Sequence, residues 1–259
     1  MPLNKENLLT ILRGNPNSSD WADIALELLP EYEINTHQRV AGFFAQCGHE
    51  SMNFRVLEEN LNYTADALLR VFPRYFTKVS AKDYAKQPEK IANLVYGNRM
   101  GNVNPEDGFL FRGRGVIQLT GRDNYTKFGE SIGLSPEQVI DYLQTKKGAL
   151  ESACWYWKTR NINIACDAND IIRMTKLVNG GTNGLEDRKK RYTTALQILS
   201  GVVKRGSKGE AVKRLQVVLG LSPDGIFGAD TEAALKKWQT ANNLYSDGIA
   251  GPETLEKMF

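Results

Sequence analysis

Two copies of one short pattern, 23 residues apart near the C-terminus, restrict the fold more than any other feature of this chain. Asp224-Gly225-Ile226-Phe227-Gly228-Ala229-Asp230-Thr231 returns as Asp247-Gly248-Ile249-Ala250-Gly251-Pro252-Glu253-Thr254. In each copy Asp-Gly supplies a tight turn with a positive-φ residue, and the second glycine stands just ahead of a helix. Pro252 suits a first helical position, where a missing N–H costs nothing. The repeat therefore predicts a compact helical unit with two equivalent turn-to-helix corners. A calcium loop is excluded, because the alternating oxygen ligands of an EF-hand are absent.

Ahead of the repeat, residues 201–209 read as a glycine-rich linker. The chain's 259 residues suit a domain of about 200 residues plus a smaller one, here 1–201 and 202–259. Helical spacing dominates the first part. Thr36 caps a predicted helix with Val40, Ala41, Phe44 and Cys47 on one face. Further helices are predicted over Ala65–Phe72, Pro88–Tyr96, Ala149–Trp157, Ala168–Leu177 and Glu186–Leu199, with a long loop over Gly97–Gly115. Val116–Leu119 is the best strand candidate.

Composition removes several function classes. A hydrophobic fraction of 41% and a charged fraction of 24% describe an ordinary soluble protein. The net charge of +3 is nearly balanced and shows no basic block, so nucleic acid is not an expected partner. No stretch approaches the ~18 apolar residues that span a bilayer, and Met1–Asn7 lacks a secretory leader's pattern. The expectations are no stable membrane association and synthesis in a cytoplasm. Cys47, Cys154 and Cys166 are read as buried reduced thiols, being an odd count without C-x-x-C spacing. Two histidines, His37 and His49, are too few for the usual zinc sites, so no metal is expected.

Acid–base chemistry is the reading the remaining residues favour. Glu50 shares a helix face with Phe43, Gln46 and Cys47. A carboxyl at the edge of an apolar stripe loses solvation, which favours the neutral form a general acid needs. Glu58 and Glu59 follow. Glycoside hydrolysis needs an acid for the leaving oxygen and, in inverting enzymes, a base for water, so such a pair is chemically sufficient without a cofactor. The segment Phe111-Arg112-Gly113-Arg114-Gly115-Val116-Ile117-Gln118-Leu119-Thr120-Gly121-Arg122-Asp123-Asn124-Tyr125 adds uncharged hydrogen-bonding groups (Gln118, Thr120, Asn124) and a ring, Tyr125, on which a sugar face can stack. It matches neither phosphate-binding glycine fingerprint.

Gly48-His49-Glu50-Ser51, the F-R-G-R-G-V-I-Q-L-T-G-R-x-N-Y segment and Leu177-Val178-Asn179-Gly180-Gly181 with Asp187-Arg188 occur in an order that resembles glycoside hydrolase family 19. The resemblance spans residues 48–191. It implies a lysozyme-like, mainly α-helical catalytic domain in which Glu50 is the acid, Glu59 the second carboxylate, with Glu58 the alternative base, and Thr120 a holder of the attacking water. Gln118, Asn124, Tyr125, Asn179 and Arg188 would be cleft or carboxylate-supporting residues, with Arg112 and Arg114 bracing the carboxylates. Inversion is implied.

The C-terminal pattern, with Gly209, Val212, Leu215, Gln216 and Ala234–Gln239, resembles a small three-helix peptidoglycan-binding domain. Its expected wall contacts are Trp238, Tyr245 and Asp247. The pairing implies a muramidase of the phage-lysin kind, monomeric, released by a holin-like pore, with peptidoglycan as partner. A chitinase is the alternative, and a non-catalytic wall-binding protein a more distant one.

Overall fold

The computed structural model describes residues 3–76 and 81–258. Met1 and Pro2, part of the N-terminal segment considered above, lie outside the described residues. The described chain is helical with no extended strand, and none of its helices is long and apolar enough to cross a membrane.

Helices α1 (Lys5–Ile11) and α2 (Ser18–Glu31) open the chain, and α2 buries Trp21, Ala22, Ala25, Leu28 and Leu29. Helix α3 (His37–Glu50) starts at Thr36, whose hydroxyl accepts from the Arg39 N–H at 3.2 Å. Every residue from Val40 to Gly48 is buried, so α3 runs through the centre of the molecule rather than over its surface. Its Phe43 ring meets Trp157 edge-on at 5.3 Å. Gly42 is required there: a Cβ would lie 2.9 Å from Cys166 Sγ and 3.0 Å from Met174 Sδ.

Short helices α4 (Ala65–Val71), α5 (Pro73–Phe76) and α6 (Ala81–Tyr84) lead to α7 (Pro88–Tyr96) and α8 (Asp107–Leu110). α8 lies inside the stretch expected to be a long loop. The reason is Asp107, a buried carboxylate that accepts from the Val103 and Asn104 N–H groups at 3.0 Å each and takes Arg122 in a two-point bond of 2.7 and 3.0 Å. Asn102 adds a second clasp, accepting from the Arg122 N–H at 2.9 Å and donating to the Tyr96 carbonyl at 2.9 Å.

Then follow α9 (Arg122–Ile132), α10 (Pro136–Tyr142), α11 (Lys146–Thr159), α12 (Ile162–Asp167), α13 (Ile171–Asn179) and α14 (Leu185–Leu199). α13 begins three residues later than predicted, because the Asp170 side chain accepts from the Arg173 N–H at 2.9 Å and caps it there. The strand expected at Val116–Leu119 is instead a tight reversal. Gly115 and Gln118 have φ of 80° and 56°, and Arg114 and Leu119 exchange backbone hydrogen bonds of 3.0 and 2.8 Å around the turn.

Helices α15 (Glu210–Val218), α16 (Ala229–Ala241) and α17 (Pro252–Met258) enclose a separate core of Val203, Val212, Leu215, Phe227, Leu235 and Ala250. The two Asp-Gly corners are built alike. Asp224 Oδ1 accepts from the Ile226 N–H at 2.8 Å and from Gln216 Nε2 at 2.7 Å, while Gln216 Oε1 accepts from the Gly225 N–H at 2.9 Å. Asp247, Ile249, Gln239 and Gly248 repeat this set at 2.8, 3.0 and 2.9 Å. A buried glutamine thus ties each turn to the preceding helix.

Candidate active site

Glu50 is the last residue of α3, and its carboxyl, one quarter exposed, faces the solvent-accessible end of an otherwise buried helix. Its partner is Arg188 of α14. That guanidinium is buried and is shared between Glu50 and the Gln46 side-chain carbonyl. Gln46 in turn donates to Thr175 Oγ1 at 3.1 Å, and Arg188 Nε donates to the Asn183 carbonyl at 3.3 Å. A buried cation needs this many acceptors, because a desolvated charge without partners is strongly unfavourable. One residue back, His49 Nδ1 meets Asp187 Oδ2 at 2.8 Å, and Arg191 Nε donates to the same oxygen at 2.7 Å. Burial opposes ionisation of Asp187, but the bonds from His49 and Arg191 outweigh it and hold the carboxyl below its usual range. His49 is thereby held in place, with its ring packed against Gly184.

Glu59 lies in the segment that follows α3. Its N–H donates to the Gly113 carbonyl at 2.9 Å, and its carboxyl accepts from the Tyr96 hydroxyl at 2.5 Å. Burial raises the Tyr96 phenol far above its ordinary value, and the Glu59 charge adds to this, so Tyr96 stays a donor. Gly113 is the hinge of the arrangement. A Cβ on it would lie 2.8 Å from Gln118 Oε1, 3.3 Å from Thr120 Oγ1 and 3.4 Å from Glu59 Cβ, so these three side chains converge over one bare backbone. Thr120 Oγ1 donates to the Gln118 carbonyl at 3.0 Å, and Asn124 Nδ2 to the Thr120 carbonyl at 2.7 Å. The reversal at 115–118 is what aims Gln118 and Thr120 at Glu59.

Other expected residues are placed differently. Tyr125 is fully buried, packed on Phe111 with ring centroids 5.2 Å apart, and its hydroxyl donates to the Arg112 carbonyl at 2.6 Å. It is no platform for a sugar, because helical spacing carries it with Phe128 onto the inner face of α9. Arg112 does brace a carboxylate, that of half-exposed Glu58. Arg114 does not: it donates to the Leu110 carbonyl and to Tyr125 Oη, and so supports the turn. Asn179 is exposed at the end of α13, where Gly180, at φ 72°, stops the helix. In the C-terminal unit Tyr245 is 87% exposed and Trp238 half-buried. Asp247 spends Oδ1 on its own corner, as Asp224 does, which accounts for its recurrence without a ligand. Tyr96 and Thr175 are the supporting residues that motif reading overlooks. Cys47, Cys154 and Cys166 are buried and unpaired, and burial raises all three thiols.

Residues 209–258 match the family described as "Putative peptidoglycan binding domain". Over 164 residues the chain is 42% identical to a glycosyl hydrolase family 19 domain-containing protein of Haemophilus influenzae, covering 61% of this chain and 78% of that one. Over 68 residues it is 46% identical to a zinc D-Ala-D-Ala carboxypeptidase of Streptomyces albus G, covering 23% of this chain and 27% of the other. Chitinase C from Streptomyces griseus superposes with a TM-score of 0.51 at 20% identity, covering 76% of each chain, a likeness of fold alone.

Proposed function

Because this chain belongs to glycosyl hydrolase family 19 and carries a peptidoglycan-binding domain, we propose that it cleaves the β-1,4 bonds of bacterial peptidoglycan as a muramidase. Glu50 acts as general acid and Glu59 as general base. The observation that carries this reading is the separate tethering of the two carboxyls, one to a buried guanidinium and one to a phenol. Glu50 gives its proton to the leaving glycosidic oxygen, and Arg188 stabilises the carboxylate that remains. The Tyr96 hydroxyl fixes one oxygen of Glu59 and leaves the other to take a proton from water, which Thr120 Oγ1 helps to hold. Water then attacks the anomeric carbon from the opposite face, and the configuration inverts without a covalent intermediate. Gln118 and Asn124 offer uncharged partners to the acetamido sugars.

A chitinase shares the bond and the acetamido group, so the catalytic residues alone do not separate the two substrates. The C-terminal unit favours the bacterial wall. In a lysin, that unit would keep the catalyst on its insoluble substrate.

The test is digestion of purified peptidoglycan by the unmodified protein and by Glu50→Gln, with new ends reduced and identified by mass spectrometry. Reduced N-acetylmuramic acid ends are expected, with turnover lowered by roughly 10²–10⁴ in the variant. Ends on N-acetylglucosamine would move the cut to the other bond. Cleavage of chitin alone would replace the substrate, and substantial activity in Glu50→Gln would remove the acid.

A further inference from the structure

Two adjoining cavities, about 290 and 450 Å³, open beside the end of α3 and share Ile11, Asn53 and Arg191 in their walls. The acid–base pair uses neither. Glu50 turns to Arg188, whereas His49 turns to Asp187, and the cavities lie on the His49 side.

Charge sets these walls apart. Arg13, Arg55, Lys190 and Arg191 line them, against one carboxylate, Asp187, which already accepts from His49 and Arg191. Arg55 donates to the Gly14 carbonyl. Among the described residues, none of Arg13, Arg55 and Lys190 has a carboxylate partner, and all three are exposed. The lining is also held in shape. Met52, Asn53 and Phe54 have φ of 50°, 61° and 62°, a left-handed run that side-chain-bearing residues adopt only when their surroundings impose it. The Asn53 N–H to Gly48 carbonyl bond of 2.7 Å and the Asn15 Nδ2 to Asn53 carbonyl bond of 2.6 Å impose it here. Met52, 67% exposed, stands at the rim as a flexible apolar surface.

A cleft for neutral sugars has no use for this excess of cations, whereas a ligand bearing several carboxylates does. We propose that the cavities bind the stem peptide carried by the glycan, its carboxylates against Arg13, Arg55 and Lys190 and its apolar side chains against Ile11 and Met52. The proposal rests on peptidoglycan being the substrate. Reach is sufficient. Asn53 is three residues from Glu50, so their Cα atoms are within ~11 Å, and an extended five-residue peptide spans ~17 Å.

The experiment is calorimetric titration of the full chain with a soluble disaccharide–tetrapeptide and with the same disaccharide lacking its peptide. The peptide-bearing ligand should bind about tenfold more tightly, two or three solvent-exposed ion pairs being worth that much. Arg13→Glu with Lys190→Glu should abolish the preference. Lys127→Glu with Arg173→Glu, which makes the same charge change on exposed positions of α9 and α13, should keep it. Equal binding of the two ligands by the unmodified chain, or equal loss in both double variants, would overturn the proposal. Binding is read without turnover, so failure of the glycosidase reading appears separately, as an absence of new reducing ends.

Discussion

The Tyr96 hydroxyl donates to the carboxylate proposed as the base, and its removal measures how much one supporting group contributes. Tyr96→Phe keeps the ring and removes the bond to Glu59. A hydrogen bond to a charged group is worth about 1.5–3 kcal/mol, so kcat should fall by roughly ten- to a hundredfold with KM little changed, as steady-state kinetics on solubilised glycan would show. A second single-residue prediction concerns acid. Bonds from Arg122 hold Asp107 at about 2, against burial, which opposes ionisation, and against an ordinary value of 3.8. A depressed carboxyl adds stability that is complete above its unfolded value and is lost as pH falls through its folded one. Thermal melts should therefore show about 2 kcal/mol disappearing between roughly pH 4 and pH 2, and Asp107→Asn should show little of that loss. Glu50, Glu59 and Thr120 stand in dense local patterns, which is why the sequence marks them as candidates. Tyr96 is not marked, since it lies 37 residues from Glu59 on a helix whose spacing speaks only of amphipathicity. Tyr125 was misleading because polar sequence neighbours say nothing of side-chain direction, although its three-residue spacing from Phe128 does.

At the scale of elements, caps and periodicity located the start of α3 and both ends of α7 and α14 within a residue or so, since Thr36 and Pro88 act locally. The hairpin-like reversal at 115–118 escaped pattern reading. It depends on Gln118 accepting a positive φ, which tertiary packing around Gly113 and Ser152 imposes. The C-terminal corners were legible as turns, and Gln216 and Gln239 stood in the pattern, but their bonds to those turns were not readable. Gln239 contacts Asp247, the Gly248 N–H, the Ile249 carbonyl and Thr254 from one buried amide. Gln239→Ala should cost about 2–3 kcal/mol by leaving those groups unsatisfied, a loss visible as early melting of this unit, while Gln216→Ala should act equivalently at the other corner.

At the scale of the whole molecule, the apolar clusters on either side of residues 200–202 are distinct, one ending at Leu199 and the other beginning at Val203. The Arg214–Glu6 ion pair, exposed on both sides, links them weakly. A chain ending at residue 201 is expected to fold, keep its turnover on soluble glycan and bind sacculi several-fold less well in a pelleting assay. Unchanged pelleting would reassign wall affinity to the larger unit. The grip of Asp187 and Arg188 on His49 and Glu50 joins residues 138 positions apart. During synthesis Glu50 therefore remains without Arg188 until more than two thirds of the chain has emerged. Under the proposed roles, fragments that stop before α14 contain both carboxyls but not the guanidinium that holds Glu50, and are expected to show no hydrolysis.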